Sequence, residues 1–99
     1  MSKLTTEKIM ASLKKNKEVL KKHLVKRIGL FGSYVRGDEN EKSDMDFLVE
    51  MSRPSYEHFF DLATYLENLF GKKIELITLK GMSPHIWPYI KKEIKWYET

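Results

Sequence analysis

Cysteine is absent from this chain of 99 residues, which excludes disulfide bonds and thiolate metal sites. No apolar run approaches the ~18 residues that a transmembrane helix needs, and no cleavable leader pattern is recognisable at the start. We therefore expect a cytoplasmic protein with no membrane partner. The length allows one domain with one modest core, so residues 1–99 are predicted to form a single domain.

Charge is distributed unevenly along the chain. The net charge is +4, but the first third is basic and the next stretch is acidic. The basic residues are Lys14, Lys15, Lys17, Lys21, Lys22, Lys26 and Arg27, and the acidic residues are Asp38, Glu39, Glu41, Asp44, Asp46 and Glu50. A uniformly basic surface would favour nucleic-acid binding. This asymmetry instead favours an anionic ligand held through a metal ion, or an acidic partner, and we do not expect nucleic acid as a partner.

The most informative pattern is Gly32-Ser33, followed after ten residues by Asp44-Met45-Asp46. A small turn that opens onto a helix binds phosphate through backbone N–H groups. Two carboxylates at alternate positions of a strand project from one face, and they suit Mg²⁺, which bridges carboxylates and substrate phosphates. Gly32 and Ser33 are thus candidate phosphate-binding residues, and Asp44 and Asp46 are candidate metal ligands. The alternatives are a solvated acidic turn and a helix cap at Ser33.

Two further residues are candidates for the same site. Glu75 alternates with apolar neighbours on a predicted strand and is a candidate third carboxylate. Alternatively, it is an exposed strand residue paired with Lys73. Arg36 either contacts phosphates or braces the acidic loop by pairing with Asp38 or Asp44, and the sequence favours neither.

Hydrophobic periodicity and turn residues predict an alternation of helices and short strands. The predicted elements are a helix over about 5–24, a strand over 26–31, a helical turn ending near 37, a strand over 45–50, a helix over about 55–70, a strand over 73–78 and a last helix from about 86 or 89 to 96. Three strands packed by helices make a small two-layer α+β domain.

The string Gly32-Ser33-x10-Asp44-x-Asp46 resembles the signature of the nucleotidyltransferases related to DNA polymerase β. With Arg36-Gly37 inside it, the string is similar to that of the minimal nucleotidyltransferase (MNT) branch. Segments 73–78 and 81–86 also resemble this branch. The resemblance implies a polymerase-β-like palm, in which a short mixed sheet of three strands is packed by helices.

The same resemblance implies roles for individual residues. Catalytic and metal-binding carboxylates are implied at Asp44, Asp46 and Glu75, which would share two Mg²⁺ ions. Nucleotide-binding residues are implied at Gly32, Ser33 and Arg36, with ATP as the substrate. Relatives commonly carry Asp where this chain has Glu75, so the carboxylate here is displaced by about one bond.

A palm of this size leaves little surface for an acceptor pocket, so a bound partner could complete the site. Similarity to the MNT branch implies such a partner, a HEPN-family toxin. The chain would then be the antitoxin, moving AMP from ATP to a tyrosine hydroxyl of the toxin. Two alternatives remain: an antitoxin that acts by binding alone with a vestigial site, and a nucleotidyltransferase acting on a small molecule such as an aminoglycoside.

Overall fold

The computed structural model describes residues 4–99, so residues 1–3 of the expected domain lie outside the described part. Its helices and strands follow the predicted alternation. They are α1 Thr6–Lys15, α2 Lys17–Lys22, β1 Val25–Phe31, α3 Ser33–Arg36, β2 Met45–Met51, α4 Tyr56–Phe70, β3 Ile74–Thr78, a 3-10 turn Leu79–Gly81, α5 Trp87–Glu93 and β4 Lys95–Glu98. No helix within the described range is long and apolar enough to cross a membrane.

The strands form one mixed sheet in the order β3-β2-β1-β4. The central strand β1 pairs antiparallel with both β2 and β4, whereas β2 and β3 run parallel. The prediction of an α+β fold with a mixed sheet is confirmed, but the predicted count of three strands is wrong, because the sheet has four.

The fourth strand replaces the end of the helix that was predicted to reach Trp96. Helix α5 ends at Glu93, because Ile94 takes an extended conformation with φ −61° and ψ 135°. Gly29 of β1 makes room for this turn: a Cβ atom there would lie 2.5 Å from Cδ1 of Ile94 and 3.0 Å from Cε3 of Trp96. Close packing against β1, together with strand pairing, thus overrides the helical pattern at the carboxyl end.

The single helix predicted over 5–24 is also wrong, because the structure divides it at Asn16 into α1 and α2. The amide of Asn16 donates to the backbone oxygen of Ser12 at 2.7 Å and accepts from the hydroxyl of Tyr65 at 2.7 Å. Asparagine side chains compete with the helical backbone for hydrogen bonds, and here the tertiary contact to α4 holds the break.

The two faces of the sheet are buried differently. The main core lies under α1, α2 and α4, and it includes Met45, Phe47 and Val49 of β2, each of which is fully buried. Alternate residues of β2 point to the opposite face, where Leu48 packs in a smaller cluster with Phe31 and Ile90. Asp46 belongs to this second face, so the candidate site lies beside α5 rather than beneath the main helical layer.

Candidate active site

The turn between β1 and α3 forms as the sequence predicts. Strand β1 ends at Phe31, and Gly32 follows with φ 84° and ψ −152°. Helix α3 is a single turn that ends at Gly37, which adopts the left-handed conformation with φ 80°. Because Gly32 occupies the cap position and Ser33 is already inside the helix, the alternative interpretation of Ser33 as a helix cap is wrong.

Gly32 brings the two halves of the sequence motif into contact. A Cβ atom on Gly32 would collide with Oδ2 of Asp46, so the carboxylate lies directly against the glycine backbone. The contact follows from the sheet, because Phe31 and Asp46 are cross-strand partners in β1 and β2. Positive φ and the crowding by Asp46 both require glycine at this position.

The candidate carboxylates meet on β2 and β3. Asp46 and Glu75 are direct partners in the parallel pair of strands, and Asp44 immediately precedes β2. Burial raises the pKa of Asp46 to about 6, and the effect is increased by the charge of Glu75, hydrogen bonding to Glu75 and the charge of Asp44. Arg36 acts in the opposite direction on this pKa. Asp46 therefore lies within electrostatic reach of both Glu75 and Asp44.

The alternative partner of Glu75 is not observed, since no ion pair joins it to Lys73 in the described part of the chain. Its side chain is exposed at the edge of the site. Glu75 therefore interacts with Asp46 instead of serving as half of a surface salt bridge.

The donor chemistry of the three acids fits a divalent cation. Carboxylate oxygens are the ligands that Mg²⁺ prefers, and a cation would offset the repulsion that raises the pKa of Asp46. Among residues 4–99, however, no three acidic or histidine side chains already converge closely enough to hold a metal ion. Binding would thus require side-chain adjustment at Asp44, Asp46 and Glu75.

Arg36 has two acidic partners. Its Nε donates to Oδ2 of Asp38 at 3.2 Å, which matches the predicted brace of the acidic loop. Its Nη1 donates to both carboxylate oxygens of Glu93, each at 3.2 Å. Oε2 of Glu93 also accepts a hydrogen bond from the backbone N–H of Gly32 at 2.6 Å.

Sequence reasoning missed Glu93 at this site. The sequence predicts that this residue lies inside a helix running to Trp96, where no signal connects it to a turn 61 residues earlier. The only available clue was the alternation at the carboxyl end, where Trp96 and Tyr97 favour a strand.

Ser33, by contrast, was identified, and its hydroxyl forms no hydrogen bond with any residue that the structure describes.

Comparison with known proteins places this turn and acidic strand in a defined class. Residues 13–97 match the family model described as "Nucleotidyltransferase domain". Protein adenylyltransferase MntA from Thermococcus cleftensis is 38% identical over 96 residues, covering 95% of this chain and 97% of its own.

Two solved structures have the same fold. A protein provisionally described as a minimal nucleotidyltransferase superposes with a TM-score of 0.78 at 25% identity, covering 96% of this chain and 98% of that one. A second match occurs in the complex of a tri-AMPylated Shewanella oneidensis HEPN toxin with an MNT antitoxin. There the TM-score is 0.64 at 20% identity, covering 90% of this chain and 71% of that chain, which supports the fold alone.

The fold, the phosphate-type turn and the paired acids thus define a nucleotidyltransferase, and the chain belongs to the nucleotidyltransferase-domain family. Within that family it is a member of the minimal nucleotidyltransferase branch. The resemblance inferred from the motif is therefore confirmed.

Proposed function

We propose that this protein transfers AMP from ATP to a hydroxyl group, that of a tyrosine, on a HEPN-family toxin and thereby acts as its antitoxin. The observation that carries the proposal is the contact of the Asp46 carboxylate with the backbone of Gly32. This contact places the glycine turn, which is of the kind that binds phosphate, directly beside the strand that carries Asp46. The name of the Thermococcus relative and the AMPylated toxin complex support the same assignment.

The turn would bind the triphosphate. Backbone N–H groups at Gly32 and Ser33 and the unpartnered Ser33 hydroxyl are donors for phosphate oxygens. The guanidinium of Arg36 adds positive charge beside them. Asp38 holds this guanidinium through Nε, whereas Nη1 is paired with Glu93 and would contact a phosphate only after that carboxylate is released.

The acidic residues would hold magnesium. Asp44, Asp46 and Glu75 would supply its oxygen ligands, and the ion, when bound, would neutralise phosphate charge and lower the pKa of the acceptor hydroxyl. In the reaction, the acceptor oxygen bonds to the α-phosphorus and the bond to pyrophosphate breaks. The acceptor proton would pass to a carboxylate, and Glu75 and Asp46 are the candidates. The products are an AMP ester and pyrophosphate.

A protein acceptor fits the open character of this site. Arg36 and Glu75 are both exposed, so the site is open to solvent on this side. A bound acceptor protein would cover this open side. Large apolar side chains are also exposed elsewhere on this small surface, namely Tyr56 (85%), Tyr89 (74%), Phe60 (65%) and Ile86 (52%). Exposed aromatic residues are typical anchors of protein interfaces. The proposal places the reaction in the cytosol, where ATP is supplied.

The test is transfer to a co-expressed HEPN partner with Mg²⁺ and ATP, followed by intact mass spectrometry. We expect an AMP adduct on the partner, located to a tyrosine by peptide mapping. Asp44→Ala should abolish the adduct, whereas Glu67→Gln, an exposed acid on α4, should leave it unchanged. Retained transfer in Asp44→Ala would contradict the assignment.

A second candidate is an antitoxin that acts by binding alone. It is favoured by the side-chain adjustment that Asp44, Asp46 and Glu75 would need before they could hold a metal ion. Neutralisation of the toxin by an Asp44→Ala, Asp46→Ala double variant, with no adduct on the toxin, would support this second candidate over the first.

A further inference from the structure

The carboxylate of Glu93 occupies the anion-binding groups of the turn between β1 and α3. Oε2 accepts from the backbone N–H of Gly32 at 2.6 Å. Both carboxylate oxygens accept from Nη1 of Arg36 at 3.2 Å. These two donors are the ones that the proposed function assigns to the triphosphate of the nucleotide.

The sheet fixes Glu93 in this place. In the antiparallel pair of β1 and β4, Leu30 is opposite Lys95. Two positions further along, that register leads to Gly32, one residue past the end of β1, and to Glu93, the last residue of α5 and two residues before β4. The close packing of Ile94 on Gly29 holds the junction between α5 and β4 against β1. Strand pairing and this packing therefore bring the backbone of Glu93 near the turn, and the side chain of Glu93 completes the contact with Gly32.

The position of Glu93 is electrostatically unfavourable for its own helix. It is the last residue of α5, and the carboxyl end of a helix carries partial negative charge that favours cations. Lys91 and Lys92 in the same turn satisfy that preference. The compensation for Glu93 comes from outside the helix, from the N–H of Gly32 and the guanidinium of Arg36, and its side chain is only 22% exposed.

We propose that Glu93 is an internal competitor of the nucleotide triphosphate. Resting on the proposed function, the inference is that a nucleotide enters only when the carboxylate leaves Gly32 and Arg36. Asp38 retains Arg36 through Nε when this happens, so the guanidinium stays at the turn and exchanges one anion for another. Glu93 thereby lowers the affinity of the site for nucleotide. Nucleotide binding is also linked to the junction of α5 and β4, because Glu93 lies at that junction and must leave the turn.

The experiment measures nucleotide affinity by calorimetry with Mg²⁺ and α,β-methylene-ATP, which cannot release pyrophosphate. Glu93→Gln and Glu93→Ala should each bind the analogue more tightly than the wild type, on the order of tenfold, the change that 1.4 kcal/mol produces. The matched control is Glu67→Gln, which removes the same charge from an exposed position of α4 and should bind as the wild type does.

A second measurement separates competition from a merely structural role. Without nucleotide, Glu93→Gln should melt at a lower temperature, because the N–H of Gly32 and Arg36 lose an ionised acceptor. Competition thus predicts lower stability together with tighter binding, whereas a structural tie predicts lower stability with unchanged or weaker binding. Unchanged or weaker binding in both Glu93 variants overturns the inference.

The two proposals fail in distinguishable ways. If the wild type binds the analogue but the Glu93 variants gain nothing, only the role of Glu93 is refuted. If neither the wild type nor the Glu93 variants bind it, the nucleotide site itself is refuted, and the competitor with it.

Discussion

Replacing Asp46 by asparagine should stabilise the protein at neutral pH. Its pKa is raised to about 6 by burial, by Glu75 and by Asp44. Because the folded chain holds this proton more tightly than the unfolded chain, the contribution of Asp46 to stability is most favourable at low pH and falls as the pH rises from about 4 through 6. Above that range, the ionised carboxylate costs free energy that the isosteric amide avoids.

The expected gain follows from the size of the pKa change. A rise from 3.8 to about 6 corresponds to roughly 3 kcal/mol at pH 7 if the group were fully shielded. Asp46 is only partly buried, so solvent screening reduces this to about 1 kcal/mol. For a domain of this size, such a gain raises the melting temperature by about 5 °C.

The assay is thermal unfolding of wild type and Asp46→Asn at pH 7 and at pH 4, without divalent ions. The advantage of the variant should be present at pH 7 and nearly gone at pH 4. Adding Mg²⁺ at pH 7 should stabilise the wild type more than the variant, because the amide is a poorer ligand. Asp61→Asn, at an exposed position of α4, is the control. A variant less stable than the wild type at pH 7 would refute the reasoning.

Three further predictions concern the turn and the third strand. In chemical denaturation, Gly32→Ala should destabilise the fold by at least about 1 kcal/mol more than Gly37→Ala. Both glycines have positive φ, but only at Gly32 would the added Cβ atom also clash with Asp46. Equal losses of stability in the two variants would argue against the clash. Ser33→Ala should weaken nucleotide binding by roughly 1.5–3 kcal/mol with little effect on stability, and unchanged affinity in calorimetry would remove Ser33 from the site. Glu75→Gln should lose most single-turnover transfer while Glu75→Asp retains measurable activity, because only the latter keeps a carboxylate; wild-type rates in Glu75→Gln would leave a site of two carboxylates.

The parts of the fold that the sequence predicted depend on local signals. Strand β2 was recognisable from its sequence pattern, and its alternate residues Met45, Phe47 and Val49 are fully buried. Helix α4 was recognisable from its apolar face, with Ser55 capping its start and Gly71 in the left-handed conformation at its end. Each of these patterns lies within a single helix or strand, so residues close together in the sequence suffice to identify it.

The parts that were wrong depend on contacts between distant residues. The division at Asn16 involves a hydrogen bond from Tyr65, and strand β4 exists because it pairs with β1. Trp96 continues a helical pattern in the sequence, yet β1 offers it an unpaired edge and a glycine that accommodates it. Local periodicity carries no information about either partner.

The sequence by itself determined which groups are available in this protein: a glycine-serine turn before a helix, two acids at alternate positions and a third acid on another strand, all recognisable from residue type and spacing. Only the tertiary structure decided which of these groups lie against one another. It placed Asp46 against Gly32 and Glu75 beside Asp46, and it brought Glu93 to the same turn. The reason is physical: residue type and spacing fix which groups are available, whereas strand register fixes which of them meet, and register is set by pairing across the whole chain.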